Sequence, residues 1–212
     1  MEMMKYAKLI DGKLTLFRNP LQKDRMDIYN PSAEVLAGEG YKPYTEEVVD
    51  ASRLESCDLS FEYQETDTEV RKVWVYTPNL EKAKAAKLAE LNGAFDAAAK
   101  EAHCTSSVGF EIDADEIANR NIEGLVLVMQ PKQTTLFRAY DNSFHEVTRE
   151  QLEAMRKEIV VNSQYLYQAK WTMEAQIQAA ETVEALDTII ITTSSLAELA
   201  DSLKASAGEG DR

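Results

Sequence analysis

Cysteine is almost missing from this chain, with Cys57 and Cys104 standing far apart as its only two. That excludes a disulfide framework and fits a reducing compartment, or a particle assembled in one. Histidine is as scarce, His103 and His145 being the full set. Glycine and proline are few, at 8 and 5, and none of them builds a GxGxxG, a GxSxG or a phosphate-cradling loop. Basic residues are outnumbered 23 to 37, for a formal net charge of −14. Such acidity argues against nucleic acid or an anionic membrane as partner and leaves room for a basic protein. The longest aliphatic clusters, "IEGLVLVM" and "LDTIIIT", fall well short of the roughly eighteen apolar residues that a spanning helix needs. The opening "MEMMKYAKLIDGK" has no apolar core of signal-peptide length. No membrane insertion is expected.

What is present belongs to a folded protein: 44% hydrophobic and 28% charged residues in a chain of 212. In "KYAKLIDGKLTLF", Asp11-Gly12 sits between apolar flanks and predicts a β-hairpin with a type I′ turn. "IYNPSAEVLAGEGYKPY" predicts a two-turn helix with Asn30 as cap, Pro31 in its first position and Gly38 or Gly40 at its end. Residues 1–44 are therefore expected as a small module of one hairpin and one short helix. Thr45 to Glu69 carries nine acidic residues against Arg53 alone, and is expected as an acidic connector in which part of "LSFEY" pairs as a strand. "EVRKVWVYTP" predicts a strand with Val73 and Val75 on one face and Trp74 and Tyr76 on the other, so residues 45–78 form connector plus strand.

From Asn79 the pattern turns helical. Leu80, Leu88, Leu91, Phe95, Ala98 and Ala102 fall on one stripe. "EIDADEIANRNIEGLVLVMQP" predicts a second helix, with Asp113 as N-cap and Glu116 as its reciprocal partner. Strands near Thr135–Tyr140 and Phe144–Val147 then flank a turn at Asp141-Asn142-Ser143. Thr148, with Gln151 three residues on, caps a third helix that meets no proline or glycine for over thirty residues. At ~1.5 Å per residue it runs about 50 Å. A short helix around Val183–Leu186 and an amphipathic one through Leu196, Leu199 and Leu203 complete the chain. The fold class expected is α+β, a β-hairpin module followed by a mainly helical domain, residues 79–212, of long helices with one hairpin inserted at about 135–147.

No catalytic, metal or cofactor-binding residues are assigned, and no cofactor is expected. His103 next to Cys104 lacks the further ligands that zinc requires, and suits instead the last turn of a helix. The carboxylates of "DADE", Asp113 to Glu116, suit helix capping better than a cation. His145 and Glu146 are neighbours on a strand and point to opposite faces, which rules out a joint acid–base role. Aromatic and apolar positions supply the functional hint, because such side chains anchor protein interfaces as well as cores. The residues expected to carry protein contacts are Trp74 and Tyr76 on the strand, with Leu152, Met155, Ile159, Leu166, Trp171, Met173 and Ile177 on the long helix. Leu152, Met155, Ile159, Leu166, Met173 and Ile177 mark its buried stripe, and a helix of that length outruns a globule built from its own chain, so part of it is expected to meet another helix or another subunit.

The stretch from Leu80 to Ile190 also resembles a domain family of unassigned function that recurs in phage and prophage tail-region proteins, notably of gut bacteria. The resemblance is carried by "KAAKLAELNGAFDAA", "FEIDAD", "YDNSFHEVTREQLEAM" and "QYLYQAKWTMEAQIQAAETVEALDTI". The opening "YAKLIDGKLTLFRNP" with "YNPSAEVLAGEGYKPY" is similar to the start of small tail-fibre-associated proteins. It implies a non-catalytic bacteriophage tail protein, an adaptor at a tail, fibre or baseplate attachment. Its expected partners are other tail or fibre proteins and further copies of itself, and its place the tail region of the virion. The alternative is a tail-fibre assembly chaperone absent from finished particles. A small enzyme or ligand-binding protein, the third class weighed, would need converging polar groups that the sequence does not display.

Overall fold

Asp11 and Gly12 take φ angles of +50° and +76°, the left-handed values of a type I′ turn. They join strand β1 (Lys5–Ile10) to β2 (Lys13–Leu16), with Leu9 opposite Leu14. The computed structural model describes residues 5–209. Asp24 and Arg25 repeat the turn chemistry, at φ +50° and +64°, between β3 (Leu21–Lys23) and β4 (Met26–Ile28). Helix α1 (Ala33–Gly38) is capped by Ser32, whose hydroxyl accepts the Val35 N–H. Asn30, expected in that role, lies outside the helix at φ +48°. Next come β5 (Lys42–Glu46), a 3-10 turn at Ala51–Arg53, and two long strands, β6 (Cys57–Glu65) and β7 (Val70–Pro78).

These strands correct the expected fold class. The chain is mixed α/β, 46% helix and 27% strand, with a nearly closed, barrel-like sheet where a lone hairpin module was expected. Five strands share that sheet in the order β2-β1-β5-β7-β6. Nine residues of the expected acidic connector, Cys57–Glu65, are strand β6, longer than the part of "LSFEY" expected to pair, and the expected boundary after residue 44 falls inside β5. The physical reason is that β5 pairs in parallel with β7, Tyr44 beside Val70, across a gap of some twenty residues. Local pattern carries no signal for such a partner, and the carboxylates Asp58, Glu62 and Glu65 made a half-solvated strand read as part of a charged connector. Ala7, Tyr44 and Val70 form the buried centre of the sheet, with Leu9, Leu14 and Tyr63 against them.

The chain divides into two compact units, Met1–Lys82 and Ala83–Arg212. The second is built on α2 (Leu80–Lys100), which crosses that division, and continues with α3 (Glu116–Val128), α4 (Arg149–Ala179), α5 (Val183–Asp187) and α6 (Thr193–Glu209). Two ribbons interrupt the helices. One, β8 (His103–Thr105) with β9 (Glu111–Asp113), was not foreseen; the other, β10 (Thr134–Arg138) with β11 (Phe144–Thr148), lies where the hairpin was expected. Asp113 ends β9, so the cap of α3 is Asp115, which accepts the Ala118 N–H at 2.6 Å. His103 likewise sits on a strand, not in a helix turn. Thr148 and Gln151 form the reciprocal capping box at the start of α4. One end of α4 buries Leu152, Met155 and Ile159 against Ile112, Ile122, Val126 and Val147.

Candidate functional site

Helix α4 presents two apolar stripes. The first, Leu152, Met155, Ile159, Leu166, Met173 and Ile177, was expected as the helix's buried stripe, meeting another helix or another subunit. All six residues are buried in the chain's own core. Helices α3 and α6 of its own unit pack along α4, so the stripe is buried against its own chain and not left free for another subunit. The second stripe is one position further round the helix: Val160, Gln164, Tyr167 and Trp171, at steps of four, three and four. Val160 and Trp171 are each 52% exposed, and Tyr167 is exposed as well.

This second stripe borders a groove. Its cleft, of about 670 Å3, is lined by Phe95 and Ala99 of α2, Ile117 and Asn119 of α3, and Val160 and Tyr167 of α4. Ile159, Leu166 and Ala114, all buried, lie at its base. Ile117 is 58% exposed, which is unusual for an isoleucine in the first turn of a well-capped helix. Helices α2 and α4 run antiparallel here. Lys84 Nζ donates to the Gln178 carbonyl at 2.8 Å, and eleven residues further along α2 the Phe95 ring lies 4.9 Å from that of Tyr167. Trp171 continues the aromatic row 5.9 Å on, and Lys170 Nζ sits 4.9 Å from the Phe95 centroid. Charged groups at the rim are Asp96, Asp115 and Glu116 against Lys100 alone. The Asn119 side-chain oxygen is buried and accepts no hydrogen bond among the described residues.

Of the nine residues expected at contacts, Ile159 and Leu166 line this groove from its buried base, and Trp171 lies outside it as an exposed side chain next to Tyr167. Trp74 and Tyr76 lie on β7 in the first unit, half-buried under the chain that follows β5. Trp74 Nε1 donates to the Glu47 carbonyl at 2.9 Å, and Tyr76 Oη accepts the Asp50 N–H at 2.7 Å. The Arg53 guanidinium lies 4.2 Å over the Tyr76 ring. Sequence reasoning missed Ile117 and Val160, although the 160/164/167/171 spacing is a legible second stripe.

The two histidines are held by neighbours in the second unit. His103 Nδ1 lies 2.6 Å from Glu111 with Tyr140 stacked on its ring at 4.4 Å, and His145 stacks on Phe110 at 4.0 Å. Among the described residues no group of three or more His, Cys, Asp or Glu is placed to hold a metal ion. Burial raises the Cys104 thiol pKa, which keeps the sulfur protonated and unreactive at neutral pH. Among the described residues no helix is long and apolar enough to cross a membrane.

Fold and groove together define a two-unit mixed α/β protein with an open, partly apolar groove on its second unit. Residues 82–190 match the family described as a domain of unknown function (DUF4376), just over half of the chain, and the protein belongs to that family. The match takes in α2 through α5, and with them every residue of the groove. No curated protein and no solved structure matches the chain at a significant level.

Proposed function

We propose that this protein is a non-catalytic adaptor of a bacteriophage tail, joining tail, fibre or baseplate parts through protein–protein contacts. The observation that carries the adaptor role is the open groove of the second unit, where Ile117, Val160 and Tyr167, with Trp171 beside them, keep apolar surface in water. Its shape and chemistry suit an amphipathic helix from a neighbouring protein, with an apolar stripe and basic flanks to meet Asp96, Asp115 and Glu116. The tail setting is supported by the resemblance of the motifs between Leu80 and Ile190. Copies of the chain gather according to the symmetry of the tail part they join, since the stripe expected to bind further copies is spent inside the unit.

The test pairs Val160→Asp with Trp171→Ala in the full chain and measures capture of the other tail proteins of the same phage. Both side chains are half in water, so the melting temperature is expected to hold within a few degrees, whereas binding falls about a hundredfold, in line with losing two anchors. Unchanged capture would remove the groove from the proposal. Mass spectrometry of purified particles decides the setting: the protein belongs among the virion components. Binding by the groove combined with absence from finished particles would instead mark an assembly chaperone.

A further inference from the structure

Strand β6 is the outermost strand of the five-stranded sheet and pairs only with β7. The register is uninterrupted from Cys57 opposite Pro78 to Glu65 opposite Val70. Two flanking bonds fix its phase. The Asn79 N–H donates to the Ser56 carbonyl at 2.8 Å, and the Thr66 N–H to the Glu69 carbonyl at 2.9 Å. Even-numbered residues of β6 therefore exchange ladder bonds with β7, and odd-numbered residues turn their N–H and C=O outward. The Cys57 carbonyl follows that phase, accepting from Lys82 Nζ at 3.2 Å. For Leu59, Phe61 and Tyr63, no side chain or loop among the described residues takes up these outward groups.

Free edges are normally blunted by charged side chains, lysine above all, or by proline or a bulge. Strand β6, "CDLSFEYQE", has no proline, lysine or bulge, and its only charges are the carboxylates Asp58, Glu62 and Glu65. Its odd-numbered side chains are apolar in the middle, with Leu59 37% and Phe61 50% exposed. Among its carboxylates, Asp58 is paired with Lys82 at 2.7 Å and Glu65 with Lys42 at 2.8 Å. Glu62, at the centre of the other face, has only the Gln64 amide at 2.8 Å. We infer that β6 is a strand-addition site for an extended segment of a partner protein, one that alternates apolar residues with a lysine or arginine opposite Glu62. The outward N–H and C=O groups of Leu59, Phe61 and Tyr63 supply main-chain bonds, and their side chains supply the apolar face. A second copy of the chain fits worse. Antiparallel self-pairing about Phe61 sets the two Glu62 carboxylates diagonally adjacent on one face, in a protein already at −14.

A fluorescent peptide as long as β6, alternating valine and threonine around a central lysine, is titrated against the full chain and followed by anisotropy. A peptide of the same composition with its valines in one block is the control. The alternating peptide is expected to bind and the control not to. Leu59→Pro removes one outward N–H while leaving the ladder to β7 intact, and is expected to weaken binding about tenfold or more beyond Leu59→Ala. Glu62→Lys should lose the lysine peptide and gain its glutamate-centred counterpart, with the melting curve unchanged. Equal binding of both peptides, or Leu59→Pro matching Leu59→Ala, would overturn the inference. So would a doubled sedimentation mass that Leu59→Pro abolishes, since the occupant would then be a second copy.

Discussion

Ser106 is the one buried polar side chain among the described residues, and Glu158 is what satisfies it. The Ser106 hydroxyl donates to the Glu158 carboxylate at 2.6 Å, and the Ser107 N–H does so at 3.0 Å. Burial by itself would raise the Glu158 pKa, but these donors, with Lys204 assisting, hold it below the ordinary glutamate value. A folded-state pKa below the unfolded one stabilises the fold fully above the unfolded value, about 4.3, and that stability is lost as pH falls through the folded value. Glu158→Ala is expected to cost about 1–3 kcal/mol at neutral pH, by orphaning a buried hydroxyl and an N–H. Thermal melts should show the difference from the parent shrinking once the pH drops below about 4. A gap independent of pH would mean that the charge of Glu158 contributes nothing.

At the scale of the element, α4 decides between two meanings of an apolar stripe. Leu166 is buried, so Leu166→Asp forces a carboxylate into the core and should unfold the second unit, not merely separate subunits. The loss is expected at about 3–5 kcal/mol, the scale of a buried leucine truncation with an unpaired charge added. Circular dichroism would record it as a lowered melting point, and a mutant that melts like the parent would return Leu166 to the surface. What the sequence makes legible is local. Asp11-Gly12, the box of Thr148 and Gln151, and the turn at Asp141-Asn142-Ser143 each announce their element within four residues. Ribbon β8–β9 escapes because strands of three residues have no readable alternation. Asp113 was taken for a cap because Asp115, two positions on, has the same chemistry, and only the strand ending at Asp113 separates them. The groove was barely legible: Trp171, which stood out by type, lies just outside it, and Ile117 gains meaning only once α3 is laid beside α4.

At the scale of the molecule, the chain has spent its most regular apolar surface on its own interior. The isolated protein is therefore expected to run as a single chain of 23.8 kDa in size-exclusion light scattering, and to join larger bodies only when a partner fills the groove. A stable trimer or hexamer without any partner would show a self-contact that neither stripe of α4 provides. The sheet of the first unit was the least legible part, because its defining contact joins Tyr44 to Val70 across the whole of β6. No window of sequence contains both sides of that pairing.

That same pairing has a consequence for how the chain is made. Strand β7 is the last of the five to be synthesised, yet it lies between β5 and β6. As the polypeptide leaves the ribosome, β1, β2 and β5 can zip together early, while β6 emerges with nothing to hold it. Until Pro78 has cleared the exit tunnel, both neighbours of the missing strand wait with bare edges. The carboxylates of β6 then serve the newborn chain as well as the finished one, keeping a sticky ribbon in water until its proper mate arrives.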